Sequence, residues 1–373
     1  MKILFAGGGT AGHINPALAV AGYIKQKAPE TEILFVGNRG GMEETLVPKA
    51  GFEMEFITIS GFSRSISING LKHNLKTVKR TFTSSKEAKK ILNSFKPDIC
   101  VGTGGYVSGP VLRTAAKMGI PTVIHEQNAY PGVTNKMLSK SAKRVMLAVK
   151  AAEKHFNKKS NLVVTGNPVR GEIITAEKFS SREKLGVDER PLVLSFGGSL
   201  GADKINRNVA GLIARSGQDK AYQHIHAYGK FGKWFPDYVK EKGTDIDECD
   251  NLDIREYIDN MADCMAAADL VISRAGAITL SEIQALGKPA VLIPSPNVAE
   301  NHQYHNAMAL VEAGAAEIIE EKDLTEELLI EKVDSLLQNP KRLSYFSANS
   351  KYMAITDANE RIWSVIKQIV NRK

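Results

Sequence analysis

Cysteine is scarce in this sequence and never occurs as a close pair. Cys100, Cys249 and Cys264 are the three cysteines among 373 residues. Zinc ribbons need a C-x-x-C spacing, and small secreted scaffolds need many disulfides. The scarcity therefore argues against these classes and indicates a reducing compartment.

Long apolar runs are also missing. No apolar stretch approaches the roughly 18 residues of a membrane span, and residues 1–6 (MKILFA) are too short for the apolar region of a signal peptide. We therefore expect a protein that is made and kept in the cytoplasm. Because 373 residues exceed what one core usually supports, two domains are expected.

Acidic residues are sparse in the first half of the chain. Residues 1–170 contain 25 Lys and Arg but only 10 Asp and Glu, whereas residues 171–373 contain 24 and 31. The first half is expected to meet something anionic. Nucleic acid, an anionic membrane and a phosphorylated substrate are all open at this point.

Short apolar runs alternate with helix-period stretches along the chain, a pattern typical of β-α-β units in a parallel, doubly wound sheet. The pattern pauses at residues 163–170 and then restarts. We predict an α/β protein with two Rossmann-like domains, residues 1–168 and 169–354, and a C-terminal helical segment, 355–373, that packs back on the first domain. The predicted strands are residues 3–6, 33–36, 99–101, 122–125, 144–147, 192–196, 224–227, 252–254, 270–272 and 290–293. The predicted helices of the first domain are residues 16–27, 42–50, 107–117 and 133–139.

One segment, residues 60–97, breaks the alternation. Its nine basic residues are opposed by Glu87 alone, and Leu71, Leu75, Val78 and Phe82 recur among them at helical spacing. Two interpretations are open. The apolar stripe packs on the sheet beneath a solvated basic face, or it enters a membrane surface while the lysines meet anionic lipid.

Three glycine-rich turns follow predicted strands, at residues 7–13 (GGGTAGH), 102–106 (GTGGY) and 197–201 (GGSLG). Glycine lets the backbone approach a ligand closely, and the next helix points N–H groups and its positive end at the ligand. Glycine that serves packing alone is the alternative for any single turn. Three such turns in one chain favour sites for phosphates.

The first turn also satisfies G-x-G-x-x-G, through Gly7, Gly9 and Gly12. A dinucleotide site needs, in addition, an acid at the end of the second strand to bind the ribose. Here that strand ends at residues 36–38 (VGN), without an acid, and His13 directly follows the turn. The pattern therefore disfavours a nicotinamide or flavin dehydrogenase.

A stronger feature lies in the second domain, where a strand runs into residues 273–282 (SRAGAITLSE). Small residues at the helix start admit a diphosphate, and Thr279 can donate its hydroxyl to it. Glu282 lies one turn inside the helix, where a carboxylate can accept both hydroxyls of a ribose. A glutamate that only complements the helix dipole is the alternative. Residues 301–303 (NHQ), after the next strand, favour the ligand.

Residues 245–247 (DID) form a D-x-D motif, a spacing that can hold a divalent metal. They lie in the polar stretch 241–250 rather than at the end of an apolar strand. We therefore expect a solvated acidic loop, and we predict no metal and no cofactor.

Taken in order, the motifs closely resemble the GT-B glycosyltransferases of family 28. Each motif is modest support, but the ordered set is highly specific and spans essentially the whole chain. The resemblance implies two Rossmann-like domains around a cleft, no metal, and donor binding mainly by the second domain. The motifs are residues 8–13 (GGTAGH), 104–106 (GGY), 125–128 (HEQN), 166–170 (GNPVR), 197–199 (GGS), 274–277 (RAGA) and 301–303 (NHQ).

The resemblance also implies an activity. N-acetylglucosamine would pass, with inversion, from UDP-GlcNAc to the 4-hydroxyl of the muramoyl sugar of undecaprenyl-diphospho-muramoyl-pentapeptide (lipid I). The product, lipid II, serves peptidoglycan synthesis and with it cell shape and division. The enzyme would be peripheral on the cytoplasmic face of the membrane. UDP-GlcNAc, lipid I and the anionic membrane surface are the implied partners, with other cell-wall synthesis or division proteins as further ones.

The resemblance assigns the functional residues of the family to the matching positions of this sequence. The resemblance implies a general base at His13, and it places Thr10, Ala11, Gly12 and Asn128 near the sugar and the diphosphate. Ile258 would meet the uracil through its backbone. The other implied donor contacts are Arg170, Ser199, Ala277, Ile278, Thr279, Leu280, Ser281, Glu282 and Gln303.

Two positions depart from the family pattern. Ala11 stands where some relatives have a third glycine, which crowds the backbone there. His302 stands where some have Gln, so that contact to the outer hydroxyls of the sugar does not carry over. A nucleic-acid partner is not expected, because aromatic residues make up only 7% and no reading motif is present. Another UDP-sugar transferase with a different acceptor, and a non-catalytic basic binding module, stay open as alternatives.

Overall fold

The computed structural model describes residues 1–59, 83–156 and 161–371. The chain divides into two compact units. Unit 1 comprises Met1–Pro168 together with Asp357–Lys373, and unit 2 comprises Val169–Thr356. The chain thus leaves unit 1 once and returns to it for its last segment.

Unit 1 is built on a seven-stranded parallel sheet with the strand order β3-β2-β1-β4-β5-β6-β7. In the centre, Leu4 of β1 lies between Leu34 of β2 and Cys100 of β4. These strands are apolar on both faces, as expected where helices cover both sides of a parallel sheet. The strands are β1 Lys2–Gly7, β2 Glu32–Asn38, β3 Glu53–Ile57, β4 Ile99–Gly104, β5 Thr122–Glu126, β6 Arg144–Leu147 and β7 Leu162–Val164.

The helices of unit 1 connect these strands across both faces of the sheet. They are α1 Ala11–Lys27, α2 Glu43–Lys49, α3 at residues 83–95, α4 Gly105–Lys117 and α5 Val133–Leu138. Val107, Val111 and Leu112 of α4 are buried in one core cluster. Ile14 and Ile24 of α1 are buried in the cluster on the other face.

Unit 2 repeats the plan with a six-stranded parallel sheet in the order β10-β9-β8-β11-β12-β13. Its strands are β8 Leu192–Phe196, β9 Gln223–Ala227, β10 Leu252–Arg255, β11 Leu270–Ser273, β12 Ala290–Leu292 and β13 Ala316–Ile318. Its helices are α6 Gly171–Thr175, α7 Lys178–Leu185, α8 Asp203–Asp219, α9 Phe235–Glu241, α10 Met261–Ala267, α11 Ala277–Leu286, α12 His302–Glu312, α13 Glu326–Leu337 and α14 Pro340–Tyr352. The predicted fold class, two Rossmann-like doubly wound sheets, is confirmed.

The last helix, α15 (Ala358–Val370), belongs to the core of unit 1. Ile362, Trp363 and Ile366 are buried in the same cluster as Ile14 and Ile24 of α1. Its apolar residues recur at helical spacing, so one stripe faces the sheet and the rest faces solvent. Helix α15 therefore completes the apolar layer on one face of the first sheet.

Two kinds of sequence prediction were wrong. Strands β3, β7 and β13 were missed, and each is an outermost strand of its sheet. All three strands are short; β3 and β7 are only partly buried, and β13 has Glu317 at its centre, so they lack the continuous apolar run by which buried strands are found. Helix α1 begins at Ala11 rather than at Pro16, because proline usually marks a first helical turn but stands here in the second. His13 consequently lies inside the helix.

The basic, amphipathic segment is only partly described. Leu71, Leu75, Val78 and Phe82 lie outside the described residues. Farther along the same segment, Ala88 and Leu92 of α3 are buried in the core of unit 1. None of the helices in the described ranges is both long and apolar enough to cross a bilayer.

Two histidines are buried side by side in unit 2. The Ser195 hydroxyl oxygen lies 2.7 Å from Nε2 of His224 and 2.7 Å from Nδ1 of His226. A hydroxyl has one hydrogen to donate, so one imidazole accepts it and the other donates its own N–H. Burial lowers the pKa of His226 to about 3 and also lowers the pKa of His224. Both rings are neutral in the native state.

We expect unit 2 to lose stability as the pH falls below about 6.5, the ordinary pKa of histidine in an unfolded chain. Since the native pKa values are depressed, the stabilisation is complete above that pH, and it declines below it because the unfolded chain binds more protons. Each histidine contributes a slope of up to about 1.4 kcal/mol per pH unit. Urea unfolding of a Trp363→Phe variant, followed by Trp234 fluorescence at pH 7 and pH 5, measures how the free energy of unfolding changes with pH. This change should be smaller in His226→Gln. An equal change in both proteins would contradict the neutral, buried state of the two histidines.

Candidate active site

Each sheet has one point where the strand order reverses, and doubly wound sheets bind ligands outside the carboxyl ends of the strands there. In unit 1 this switch point lies between β1 and β4, and in unit 2 it lies between β8 and β11. The segments that leave these strands all contain glycine: residues 8–10, 104–105, 197–201 and 274–276. Each unit therefore has a candidate ligand site of its own.

His13 lies in the first turn of α1, at the switch point of unit 1. Its Nδ1 is 3.2 Å from the carbonyl oxygen of Gly8 and 3.1 Å from the hydroxyl oxygen of Thr10. A carbonyl oxygen only accepts hydrogen bonds, so a hydrogen on Nδ1 satisfies it. In the neutral ring the lone pair then lies on Nε2, and Nε2 is the basic atom.

The ring of His13 packs against the second glycine turn. A Cβ on Gly104 would come within 2.8 Å of Cδ2 and 3.1 Å of Nε2 of that ring. A Cβ on Gly105 would overlap the carbonyl oxygen of Gly8. The φ angles of 106° at Gly104 and 75° at Gly105 are also in the region that favours glycine. The first two predicted turns therefore form one surface around His13.

Gly105→Ala tests how closely these turns approach, and Gly119→Ala is its matched control. The φ angles are 75° and 76°, but a Cβ on Gly119 would meet nothing within 4 Å. Both variants take on the left-handed strain of about 1–2 kcal/mol. Gly105→Ala should lose roughly a further 1–3 kcal/mol because its backbone must shift. Urea unfolding in a Trp234→Phe background, reported by Trp363, measures both; equal losses would mean that the turns are not in tight contact.

Glu43, the first residue of α2, holds the first turn in place. Its buried carboxylate accepts the N–H of Gly9 at 3.1 Å and the N–H of Asn38 at 3.0 Å. Burial and this carboxylate raise the pKa of the Tyr106 hydroxyl, whose ring packs on Gly9. Sequence reasoning missed Glu43, because an acid in a first helical turn is typical of a solvated surface helix.

Glu126, at the end of β5, orients Asn128. Its Oε1 accepts the backbone N–H of Asn128 at 3.0 Å and the side-chain NH₂ at 3.1 Å. Its Oε2 accepts the N–H of Gly132 at 3.1 Å and the side-chain NH₂ of Asn135 at 2.9 Å. Burial raises the pKa of Glu126, and these hydrogen bonds oppose the rise. Asn128 is thereby fixed at the carboxyl edge of the sheet. Sequence reasoning gave Glu126 no role.

In unit 2, the turn after β8 is joined to the turn after β9. The N–H of Lys230 donates to the carbonyl oxygen of Ser199 at 3.2 Å. A Cβ on Gly201 would overlap the carbonyl oxygen of Tyr228. Ser199, a predicted donor contact, is thus exposed on a turn that the neighbouring loop holds rigidly.

The predicted diphosphate site is the start of α11, which follows β11 after residues 274–276. The first turn of a helix directs backbone N–H groups and a positive partial charge at an anion. Ala277, Ile278, Thr279 and Ser281 are half-buried there, and Leu280 is buried. Thr279 supplies the hydroxyl at this edge, and the apolar residues can offer a ligand their backbone.

Glu282 is buried in α11 and forms an ion pair with Arg170, 112 residues earlier in the chain. Nε of Arg170 donates to Oε1 of Glu282 at 3.0 Å, and Nη1 donates to Glu172 at 2.8 Å. Burial raises the pKa of Glu282, and the guanidinium of Arg170 opposes the rise. Arg170 therefore favours the ionised form of a buried carboxylate beside the helix start.

Two further predicted donor residues lie at the carboxyl edge of the second sheet. The Oε1 atom of Gln303 accepts the N–H of Ser295 at 2.9 Å, which turns its NH₂ group away from that loop. Ile258 is 3% exposed with its side chain in the core, so it can offer a ligand only backbone atoms. At His302, which differs from the family pattern, Nδ1 lies 2.8 Å from the carbonyl oxygen of Ala299.

The first aspartate of the D-x-D motif is already engaged by protein groups. The Asp245 carboxylate pairs with Lys240 at 2.5 Å and accepts the N–H of Asp247 at 3.3 Å. Across the part of the chain that the structure describes, no three His, Cys, Asp or Glu side chains are placed to hold a metal.

Each unit thus presents a glycine-lined site suited to a phosphate-bearing ligand. Unit 1 adds a histidine of defined tautomer, and unit 2 adds a buried carboxylate paired with arginine. Two Rossmann-like units of this kind define the GT-B class of nucleotide-sugar enzymes. The glycosyltransferase family 28 N-terminal domain matches residues 3–147, and the family 28 C-terminal domain matches residues 192–362. The chain belongs to glycosyltransferase family 28, and the resemblance predicted from its motifs is confirmed.

Relatives match the chain over its full length. A protein of Acetivibrio thermocellus named UDP-N-acetylglucosamine--N-acetylmuramyl-(pentapeptide) pyrophosphoryl-undecaprenol N-acetylglucosamine transferase is 49% identical, covering 100% of this chain and 99% of its own. A Bacillus cytotoxicus protein of the same name is 43% identical and covers 100% of both chains. The crystal structure of Acinetobacter baumannii MurG superposes with a TM-score of 0.80 at 29% identity, covering 98% of this chain and 99% of that one.

Proposed function

We propose that this protein transfers N-acetylglucosamine from UDP-GlcNAc to lipid I and so makes lipid II for peptidoglycan. The names of full-length relatives state this activity, and one of these relatives, from Acetivibrio thermocellus, is 49% identical to this chain. The observation that carries the proposal is the pairing of Arg170 with buried Glu282 beside the start of α11. This arrangement offers a nucleotide sugar both a diphosphate site and a ribose partner.

Unit 2 binds the donor in this proposal. The N-terminus of α11, with Thr279, takes the diphosphate, and the two ribose hydroxyls donate to Glu282. Arg170 lies within hydrogen-bond reach of that carboxylate and offsets the negative charge of the departing UDP. Ser199 and Gln303 supply polar contacts from neighbouring loops. The uracil meets the backbone of Ile258.

Unit 1 supplies the base and the first-domain contacts. Thr10, Ala11 and Gly12 form the start of α1, which suits a phosphate or a sugar hydroxyl. Asn128 is held at the neighbouring sheet edge by Glu126. His13 is the general base, and its support is the hydrogen bond at Nδ1 that makes Nε2 the basic nitrogen.

The reaction inverts the anomeric carbon. The 4-hydroxyl oxygen of the muramoyl sugar attacks this carbon from the side opposite UDP, and a new carbon–oxygen bond forms. The bond from the carbon to the UDP oxygen breaks, and its electron pair leaves with UDP. Nε2 of His13 takes the proton of the attacking hydroxyl.

Turnover with UDP-GlcNAc and a water-soluble lipid I analogue tests the proposed function. The expected result is release of one UDP for each disaccharide formed, without added metal. UDP release that does not depend on this acceptor, or transfer only to an unrelated acceptor, would overturn the assignment in favour of another UDP-sugar transferase.

We further propose that the protein attaches peripherally to the cytoplasmic face of the membrane. The acceptor carries an undecaprenyl chain, and residues 1–170 hold the surplus of basic charge. The segment with Leu71, Leu75, Val78 and Phe82 supplies an amphipathic stripe in the sequence. Each basic residue near an anionic surface contributes about 1 kcal/mol, so several together support reversible attachment. Cell-wall synthesis or division proteins as further partners stay a prediction.

Reversal of Lys72, Lys76 and Lys79 to Glu tests the membrane attachment. Binding to anionic vesicles should be abolished, whereas turnover on the water-soluble acceptor analogue should be retained. Added salt should release the wild-type protein from the vesicles, because screening shortens the reach of the charges. A triple variant that fails to fold would place the stripe in the core. A folded variant that still binds vesicles would place the contact elsewhere.

A further inference from the structure

The carboxyl edge of the second sheet carries a cavity that shares only Asn301, of the NHQ motif, with the segments assigned above to the donor. Its volume is about 280 Å³. It opens between Lys204 in the first turn of α8, Pro294 and Pro296 after β12, and residues 320–322 after β13. Asn301 and Tyr304, on either side of α12's start, complete its lining. This volume is at the lower end of the range of small-molecule sites, about 300–1,000 Å³, so the cavity suits one part of a larger ligand.

Hydrogen bonds and an ion pair fix the walls of this cavity. Gln303 accepts the N–H of Ser295 at 2.9 Å and so ties α12 to the loop after β12. Arg274 donates to the carbonyl oxygen of Pro294 at 3.2 Å and forms an ion pair with Glu321. Arg274, which lies in the RAGA motif, thereby joins the loops after β11, β12 and β13. The cavity is preformed, so a ligand need not order these loops.

The charges that line the cavity are of both signs, and one of them has no ion-pair partner. Glu320 is 3.3 Å from Lys322. Among the described residues no carboxylate lies within ion-pair distance of the Lys204 ammonium, and its neighbour Asp203 pairs with Arg207 at 2.9 Å. The phenol of Tyr304 adds a hydroxyl donor to the same cavity. One anionic group can therefore bind at Lys204.

The balance of charge in the lining distinguishes among anionic ligands. Glu320 and Glu321 are already paired with Lys322 and Arg274, so a diphosphate that reached Lys204 would find one unpaired ammonium for two or more negative charges and two carboxylates nearby. A peptide carries single carboxylates, which one ammonium can match, and also N–H or ammonium groups that suit the carboxylates of the lining. The cavity thus matches a peptide better than a polyphosphate.

We propose that this cavity binds the peptide of the acceptor, with Lys204 holding one of its carboxylates. The inference rests on the proposed function, in which the acceptor is a muramoyl-pentapeptide. UDP-GlcNAc contains no carboxylate, whereas a pentapeptide ends in one. Lys204 and Tyr304 donate to the carboxylate, and Glu320 accepts from the peptide's nitrogen groups. Lys204 is a specificity residue that touches substrate away from the reacting atoms.

Lys204→Gln, assayed with two water-soluble acceptor analogues, tests the proposal. One analogue carries the pentapeptide with free carboxylates, and the other carries the same peptide with every carboxylate amidated. The KM of the carboxylate analogue should rise about three- to fivefold, as for the loss of a solvent-open ion pair. The KM of the amidated analogue, the KM of UDP-GlcNAc and kcat should stay unchanged. Lys240→Gln removes the same charge outside the cavity, from the pair with Asp245, and should match the wild type.

Equal KM changes for both analogues, or no change for either, would overturn the peptide site. If Lys204→Gln unfolds at a lower temperature than the wild type, Tyr304→Phe provides the second test, with the same discrimination between analogues expected. Absence of transfer by the wild type would instead contradict the proposed function. The free pentapeptide then tests the site directly, since calorimetry should give a Kd about three- to fivefold weaker for Lys204→Gln. An equal Kd for the wild type and Lys204→Gln would contradict the proposal.

Discussion

His13→Ala should lower kcat by about 10²- to 10⁴-fold, the usual contribution of a general base. The Nδ1 hydrogen bond to Gly8 is what makes Nε2 the proton acceptor, so removing the ring removes the only titratable group of the first glycine turn. The KM for UDP-GlcNAc should change little, because in the proposed function unit 2 supplies most of the donor contacts. Steady-state kinetics at saturating acceptor measure the effect.

Two variants separate base chemistry from packing. His13→Gln keeps a polar side chain beside Gly104 and Gly105 but cannot accept a proton at neutral pH, so its kcat should fall as far as that of His13→Ala. Thr10→Val removes one contact to Nδ1 and retains the base, so its loss should be much smaller. Near-normal turnover of His13→Gln at saturating acceptor would defeat the base assignment. A rise in acceptor KM alone would make His13 an acceptor-binding residue.

Glu282→Ala should weaken UDP-GlcNAc by about ten- to a hundredfold, because a hydrogen bond to a charged group is worth roughly 1.5–3 kcal/mol. The side chain of Glu282 is buried and paired with Arg170, so it can accept the ribose hydroxyls without losing a hydration shell. The change should appear in the KM for UDP-GlcNAc, whereas acceptor KM should be nearly unaffected.

Glu172→Gln is the matched control for this effect. Glu172 is the other carboxylate bonded to Arg170, at 2.8 Å, but its side chain is 60% exposed. Exposed ion pairs contribute about 0–1 kcal/mol, so its donor KM should move less than about fivefold. A folded Glu282→Ala protein with an unchanged donor KM would remove Glu282 from the site. Equal effects of both variants would assign the loss to the placement of Arg170.

The central strands could be predicted from sequence, whereas three of the four outermost strands could not. Strands such as β1 and β8 are buried on both faces, and their apolar runs have no other interpretation. In β3, the run Glu53–Ile57 alternates exposed and half-buried residues and carries two glutamates. Its strand identity comes from pairing with β2, a contact that is absent from local sequence.

The residues of the candidate site also differ in how far they could be predicted from sequence. The glycine turns, His13 and Glu282 are visible in sequence because local spacing places them at the ends of strands. The pairing of Arg170 with Glu282 spans 112 residues and depends on how α6 and α11 pack. Glu43 was missed for a related reason, since its carboxylate accepts the N–H of Gly9, 34 residues earlier in the chain.

The return of the chain to unit 1 through α15 sets an order for folding on the ribosome. Unit 2 lies wholly between the two parts of unit 1, so all of its residues emerge before α15 does. Until then the first sheet lacks the layer of Ile362, Trp363 and Ile366 that covers α1. While unit 2 is being made, the nascent chain therefore carries an N-terminal unit whose apolar surface on α1 is still uncovered. Such a surface is prone to aggregation until α15 packs on it.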